Sequence, residues 1–323
     1  GEIIMDQKTI DKAIVSNHLK KTNSFNHLFP NNHPFAACIT HDIDDLFEDR
    51  KLLYINFLKD IAKLRFSSAQ YKLKCIIDKK NSNYFNLKKL IDLERSYGAN
   101  ATYFFLALSP EDKDFNYSLN EIKPVLDMVL NNGNEIGLHG GHGSHIDSSL
   151  LNQQKKYLES AINKKVIGFR AHYLKFDCEK TWHILSKNGF KYDSTLGFHD
   201  HAGFRSGMAH PYKPFCLKDD KHIEIIEIPL ILMDCTLNNY MGLDINKSWI
   251  LIKSLVDHTA EINGVFTILW HNSYLFDEQL ALYEKTLDYL KKKNAWMTSC
   301  EKVYNHWESN NYNTVFGNEL KKH

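Results

Sequence analysis

The chain has 323 residues and a mass of 37.6 kDa, enough for one large domain or two small ones. Lys and Arg number 40 against 39 Asp and Glu, so no net basic field exists to make nucleic acid the main partner. A composition of 43% hydrophobic and 24% charged residues excludes disorder and fibres, and no run of ~18 apolar residues exists to form a transmembrane helix.

Residues 1–34 have mixed polarity and are read as a helical or irregular N-terminal extension ahead of a domain at 35–323. The first dozen residues are charged and lack a long apolar core, so no secretory signal is visible and a cytoplasmic location is expected, with a leader already removed as the alternative. Cys38, Cys75, Cys178, Cys216, Cys235 and Cys300 are far apart with no CxxC, as expected of reduced thiols. From Phe35–Thr40, the first expected strand, one local pattern recurs: an amphipathic stretch, a Gly, then a short apolar run. It occurs at Leu87–Tyr97, Gly98 and Ala101–Leu108, and again at Glu121–Asn132, Gly133 and Glu135–His139. The third and fourth cases are Glu179–Asn188, Gly189, Phe190–Ser194 and Ile250–Asn263, Gly264, Val265–Trp270. Gly after a helix takes the left-handed cap, and apolar runs such as ATYFFLAL suit strands buried on both faces. Val166–Ala171 and Ile223–Met233 read as further strands, and Ser148–Asn163 and Asp277–Lys292 as helices. Repeated βα units predict a parallel sheet, either a distorted (β/α) barrel of about seven strands or a doubly wound open sheet.

Ligands bind beyond the carboxyl ends of strands in such folds. Five strand ends carry His, Asp or Arg: Thr40-His41-Asp42-Ile43-Asp44-Asp45, then His139-Gly140-Gly141-His142-Gly143-Ser144-His145, Arg170-Ala171-His172-Tyr173, Asp193-Ser194-Thr195 and Trp270-His271-Asn272-Ser273. Three carboxylates within four positions repel one another unless a cation or base neutralises them. In an extended segment Asp42 and Asp44 face the same way, while Asp45 can instead cap a helical run beginning at Leu46. Three glycines make the His139–His145 run a loop, and imidazoles on a loop suit zinc or a similar metal. His172 can also be a core histidine and Asp193 a turn cap. Acids with imidazoles, and an Asp left over as base, suit a hydrolytic metal site. No Ser or Cys sits in a nucleophile-elbow context and no phosphate-binding Gly motif occurs, so covalent and nucleotide chemistry rank low.

The order of these motifs resembles the NodB-homology polysaccharide deacetylases, carbohydrate esterase family 4, over roughly Phe35 to Trp307. THDIDD resembles the D-x-D variant of that family's first motif, with Asp42 in the base position and Asp44 in the metal position. EIGLHGGHGSH, Arg170-Ala171-His172-Tyr173, Asp193 and ILWHNS with His271 look like its second to fifth motifs. GFRAHYLKF, YDSTLGF and LWHNS look more like the bacterial subgroup linked to surface-glycan gene clusters than like chitin deacetylases. The resemblance implies a NodB-like distorted barrel, a divalent metal with zinc first, and removal of an N-acetyl or N-acyl group from a sugar or glycan precursor. It further implies Asp42 as general base, His271 as general acid, Arg170 as partner of the base, and Tyr173, Asp193 and Trp270 on the substrate side. The family's second motif has a His four residues after its first; here that position is Gly143. His145, His172 and His142, in that order, are the candidates to join Asp44 and His139 on the metal. Tyr173, Phe198, Phe204 and Trp270 are candidates to stack on sugar rings. A glycan-binding homologue without catalysis, or another C–N amide hydrolase such as a deformylase or cyclic amide hydrolase, remains an alternative. Oligomeric state has no signature in the sequence.

Overall fold

The computed structural model describes residues 10–22, 28–82, 85–275, 277–310 and 312, so 1–9 and 23–27 of the expected extension lie outside the described residues. The extension contributes helix α1 (Ile14–Thr22), with Ala13 and Leu19 buried. Ser16 Oγ accepts from Ala209 N at 2.8 Å and lies 2.8 Å from His210 Nδ1, fastening this helix to the domain.

Strands β1 (Ala36–Ile43), β2 (Thr102–Leu106), β3 (Glu135–Gly140), β4 (Gly168–Ala171) and β5 (Tyr192–Asp193) come first. A small antiparallel pair follows, β6 (Phe215–Cys216) and β7 (Lys221–His222), then β8 (Ile226–Glu227), β9 (Leu232–Met233), β10 (Val265–Leu269) and β11 (Trp296–Thr298). The large sheet is parallel throughout, in the order β8-β5-β4-β3-β2-β1-β10-β9, with β11 also on β1. Its two outermost strands, β8 and β9, are separated by only four residues. That short join brings the sheet's edges together and curls it into a distorted barrel. The run Ile223–Met233, expected as one strand, therefore serves two edges. Pro229 has no N–H for a ladder and interrupts it. Ile228 N donates to Asp193 O on one side of this proline, and Ile231 N donates to Thr267 O on the other, at 2.8 and 3.0 Å.

Outside the barrel lie α4 (Leu87–Ser96), α5 (Lys123–Asn131), α6 (Ser148–Ile162), α7 (Thr181–Lys187), α8 (Ile245–Glu261), α9 (Asp277–Lys292) and α10 (Cys300–Ser309). Asp147, Asp244 and Ser299 cap α6, α8 and α10 by accepting backbone N–H bonds. Gly98, Gly133 and Gly189 take the left-handed conformation expected after a helix. The fourth case differs. Asn263 takes the left-handed turn at φ 56°, while Gly264 is needed because a Cβ there would lie 2.9 Å from that of Ala209.

Between β1 and β2 the chain makes a helical hairpin, α2 (Arg50–Ala62) and α3 (Phe66–Ile77). Asp49, not Asp45, caps its first helix, donating no proton but accepting from Leu52 N at 2.8 Å. Leu53, Ala69 and Cys75 are buried within the hairpin and do not join the main core.

Candidate metal centre

The parallel register sets out the centre. Thr40, Asp42 and Asp44 alternate to one side of β1 and its end, whereas His41 points to the other. His41 meets Glu94 of α4 at 2.6 Å and the Trp270 carbonyl at 2.6 Å. His139 near the end of β3 is paired with Arg170 of β4, and His172 follows β4 by one residue. These strand ends bring together acids and imidazoles that lie about 95 to 230 positions apart in the sequence.

Three atoms converge at the barrel mouth. Asp44 Oδ1 lies 3.1 Å from His139 Nε2 and 3.4 Å from His172 Nδ1, and the two ring nitrogens are 3.1 Å apart. A tetrahedral ion with bonds of about 2.0–2.1 Å sets its donor atoms about 3.3 Å apart, so the triangle has the right size for a zinc-like cation. The chemistry of the donors agrees. His139 Nδ1 lies 3.0 Å from the Arg170 carbonyl; an N–H there leaves Nε2 with its lone pair toward the centre. Asp44 Oδ1 is buried and makes no hydrogen bond of its own, the mark of an acceptor waiting for a cation. His172 Nε2, facing away from the centre, is 3.4 Å from Asp114 Oδ2. The same carboxylate oxygen is 2.6 Å from His142 Nε2 and accepts from the Tyr173 hydroxyl at 3.2 Å.

The like-charge problem raised by Asp42, Asp44 and Asp45 is resolved three ways. Asp42, 2% exposed, pairs with the fully buried Arg170 guanidinium at 3.0 Å. Arg170 also donates to Thr40 Oγ1, Ser194 O and Ser194 Oγ, which fixes its plane. Burial works against a charge on Asp44, but the adjacent His139 and His172 rings outweigh it and hold this carboxyl well below its ordinary value. Asp45 is pushed up to about 6 by burial and by the Asp44 charge.

Across the mouth, His271 Nδ1 is 2.7 Å from Asp234 Oδ1, and Asp234 Oδ2 accepts from His271 N at 2.6 Å. The imidazole Nε2 points back toward Asp44 Oδ2 at 3.7 Å. Burial alone lowers the pKa of His271; the Asp234 carboxylate, with Asp44 and Asp42 behind it, raises it to about 10. A held imidazolium thus faces the acidic side of the site. A cavity of about 400 Å³ between these walls is lined by His199, Tyr240 and Tyr274 as well.

The structure thus brings Asp42, Asp44, His139, Arg170, His172 and His271 together, and corrects three other expectations. His145, first choice for the third ligand, is outside the group. Gly143 (φ 83°) turns the loop away, and the His145 carbonyl accepts from Thr181 Oγ1 at 3.0 Å. His172 takes its place within reach of Asp44 and His139. Asp193 is fully buried behind the mouth, where its Oδ1 accepts from Thr195 and its neighbour across the sheet is Glu227, so it touches no substrate space. Trp270 is also fully buried, its ring 5.1 Å from that of Tyr283, and Phe204 is only 1% exposed, so neither can stack on a sugar from the mouth. Tyr173 does stand at the mouth, 58% exposed, in a left-handed turn at φ 58°. Two site residues escaped the sequence reading. Asp234 follows the apolar run Ile228–Met233 directly and carries the same strand-end signal as the others. Asp114 sits in the polar loop SPEDKDFN after β2, where nothing in the sequence distinguishes it.

No protein-family profile matches the chain, and no curated protein matches its sequence. Solved structures do match. A candidate polysaccharide deacetylase from Mycobacterium smegmatis is 17% identical, with 88% of this chain and 93% of that one covered at a TM-score of 0.61. A second candidate polysaccharide deacetylase, from Pseudomonas aeruginosa PAO1, is 13% identical, with 88% and 94% covered at a TM-score of 0.60. Such likeness speaks to architecture, and it agrees with the curled parallel sheet: the chain has the fold of the polysaccharide deacetylases, a distorted NodB-like (β/α) barrel.

Proposed function

We propose that the protein is a metal-dependent hydrolase that removes an N-acetyl or other N-acyl group from a sugar of a bacterial surface glycan or its precursor. The observation that carries this reading is the triangle of Asp44 Oδ1, His139 Nε2 and His172 Nδ1, with edges of 3.1–3.4 Å, at the mouth of a deacetylase-type barrel. One carboxylate and two imidazoles suit zinc and leave a coordination position open. A cation held by Asp44, His139 and His172 would supply Lewis-acid polarisation of an acyl carbonyl and make water more acidic. Asp42 is the general base, taking a proton from the attacking water. Arg170 keeps the Asp42 carboxylate charged and correctly turned. His271, protonated and aimed by Asp234, gives its proton to the amine nitrogen as the C–N bond breaks. The Tyr173 backbone N–H is the oxyanion donor. Asp114, whose Oδ2 lies 3.4 Å from His172 Nε2, favours a proton on that outer nitrogen and so leaves Nδ1 toward the cation. Tyr240 and Tyr274 replace Trp270 and Phe204 as the rings offered to a sugar.

The test measures divalent metal content and acetate release together. Substrates are N-acetylated sugar nucleotides, lipid-linked sugars and chito-oligosaccharides. Stoichiometric metal is expected, lost in Asp44→Ala together with activity, which falls at least about 1,000-fold. Metal without acetate from any of these substrates sets the N-deacetylase reading aside. Absence of metal from both proteins leaves a glycan-binding homologue.

A further inference from the structure

The hairpin α2–α3 breaks the usual burial rule. Nine of the seventeen large apolar side chains exposed among the described residues lie in its 28 residues. Scattered exposed apolar residues are ordinary, but a concentration of this kind marks a contact surface. Tyr54, Ile55, Leu58 and Ile61 recur at helical spacing on the outward side of α2, opposite the buried Leu53 and Asp60. Phe66, Leu73 and Ile77 form the corresponding stripe on α3. At the tip between the helices, Leu64 is 73% exposed and held at φ 54°, and Phe66 is 65% exposed.

The charge of the hairpin is as skewed as its polarity. From Arg50 to Ile77 seven Lys or Arg stand against one Asp, a net of +6 in a chain whose total is +1. That acid is engaged: Asp60 pairs with Lys72 at 2.5 Å between the helices. Lys63 and Arg65 flank Leu64 directly and are exposed, as are Lys51, Lys59 and Lys74. Apolar side chains in a rim of cations fit the interface of a bilayer with anionic headgroups: the former enter the acyl boundary and the latter meet phosphate. A second copy of the chain fits poorly, because a symmetric contact would set one +6 surface against another.

We propose that this hairpin docks the protein on an anionic phospholipid bilayer surface. The dock adjoins the candidate metal centre. One cavity of about 450 Å³ is lined by Leu52, Asn56 and Lys72 of the hairpin and by Asp44, Asp114 and His172. Docking would therefore hold the mouth of the barrel beside the membrane.

Co-sedimentation of the whole protein with phosphatidylcholine vesicles, with and without phosphatidylglycerol, tests it. Binding is expected only when phosphatidylglycerol is present, and is lost in about 1 M salt, where screening acts over about 3 Å. Each cation near such a surface strengthens binding about fivefold, so neutralising two with Lys63→Gln/Arg65→Gln should weaken it roughly 30-fold. Leu64→Ser/Phe66→Ser should weaken it as well while the protein's thermal unfolding stays unchanged. Three results each overturn the proposal: no binding to phosphatidylglycerol vesicles, equal binding to neutral ones, or binding that neither variant alters. A dimer seen by light scattering and dissolved by Leu64→Ser/Phe66→Ser would also overturn it, since the apolar tip would then cover a second copy.

Discussion

The barrel mouth and the α2–α3 hairpin depart from the usual burial pattern in opposite senses. At the mouth, Asp42, Arg170, His139 and His172 are at most 6% exposed, and polar groups take the place of core. In the hairpin, Leu64, Phe66 and Ile77 are 65–77% exposed, and apolar groups take the place of a solvated surface. The mouth compensates internally, since almost every buried charge there has a named partner. Among the described residues the hairpin has no such compensation for its exposed apolar stripes. A region that settles its polarity internally is built to act on something small that enters it. One that leaves its polarity unsettled is built to meet something large outside.

The sharpest way to break this contrast is at Arg170. Removing the guanidinium leaves Asp42 charged, buried and unpaired, so Arg170→Met should destabilise the protein by about 3–5 kcal/mol, measured by denaturant unfolding. Arg170→Met/Asp42→Asn should recover most of that loss and none of the activity. Equal stability of Arg170→Met and the parent would mean that the mouth is not a closed set of paired charges.

Behind Arg170, Asp193 and Glu227 form a second paired set, and pH probes it. Burial raises both: Asp193 to about 6, and Glu227, which also feels the Asp193 charge, well above its ordinary value. Asp193 Oδ2 is buried with no donor facing it, as expected if the two carboxyls share one proton. Their folded pKa values exceed the unfolded ones, so the folded chain binds more protons. The pair's contribution to stability is greatest below the ordinary carboxylate range and falls as pH rises toward 6, by about 1.4 kcal/mol for each pH unit and group still protonated only in the folded state. Glu227→Gln, whose amide can donate to Asp193 Oδ2, should flatten that slope in a plot of unfolding free energy against pH.

Much of this was legible in the sequence. Helix–Gly–strand units announced the parallel sheet because cap chemistry and buried-strand composition are local. That Asp42, Asp44, His139, Arg170 and His271 stand at strand ends was legible because each lies at the close of an apolar run. Closure of the barrel was not: whether Ile226–Met233 serves one edge or two depends on a bend at Pro229 and on partners far away in sequence. The exchange of His145 for His172 was equally hidden. It turns on the path of the loop after β3, which spacing does not determine. Asp193 and Trp270 show the reverse error. Being at a strand end does not say whether a side chain faces the mouth or the packing behind it. The hairpin gave no clear sign because apolar residues surround α2, leaving its buried side unmarked.

Asp114 offers a milder test of the mouth. It joins His142, His172 and Tyr173 through one carboxylate oxygen. If it sets the orientation of His172, Asp114→Asn should weaken metal affinity about 10–100-fold, read by competition with a chelating dye, while the fold stays intact. His142→Gln, which removes only a neighbour of Asp114, should have a smaller effect. Similar losses in the two variants would place the control of His172 elsewhere.

The smallest effect is expected at the hairpin tip, and its smallness is the point. Leu64 is not a member of the main core and is 73% exposed in a left-handed backbone conformation, which asparagine tolerates better than a branched apolar residue. Leu64→Asn should therefore leave unfolding free energy within about 0.5 kcal/mol of the parent, or raise it slightly. Replacing a leucine buried in the barrel, such as Leu138→Ala, should cost about 2–5 kcal/mol by the same measurement. A loss at Leu64 approaching the Leu138 value would show that the tip supports the fold, and its exposure would then no longer mark a surface kept for a partner.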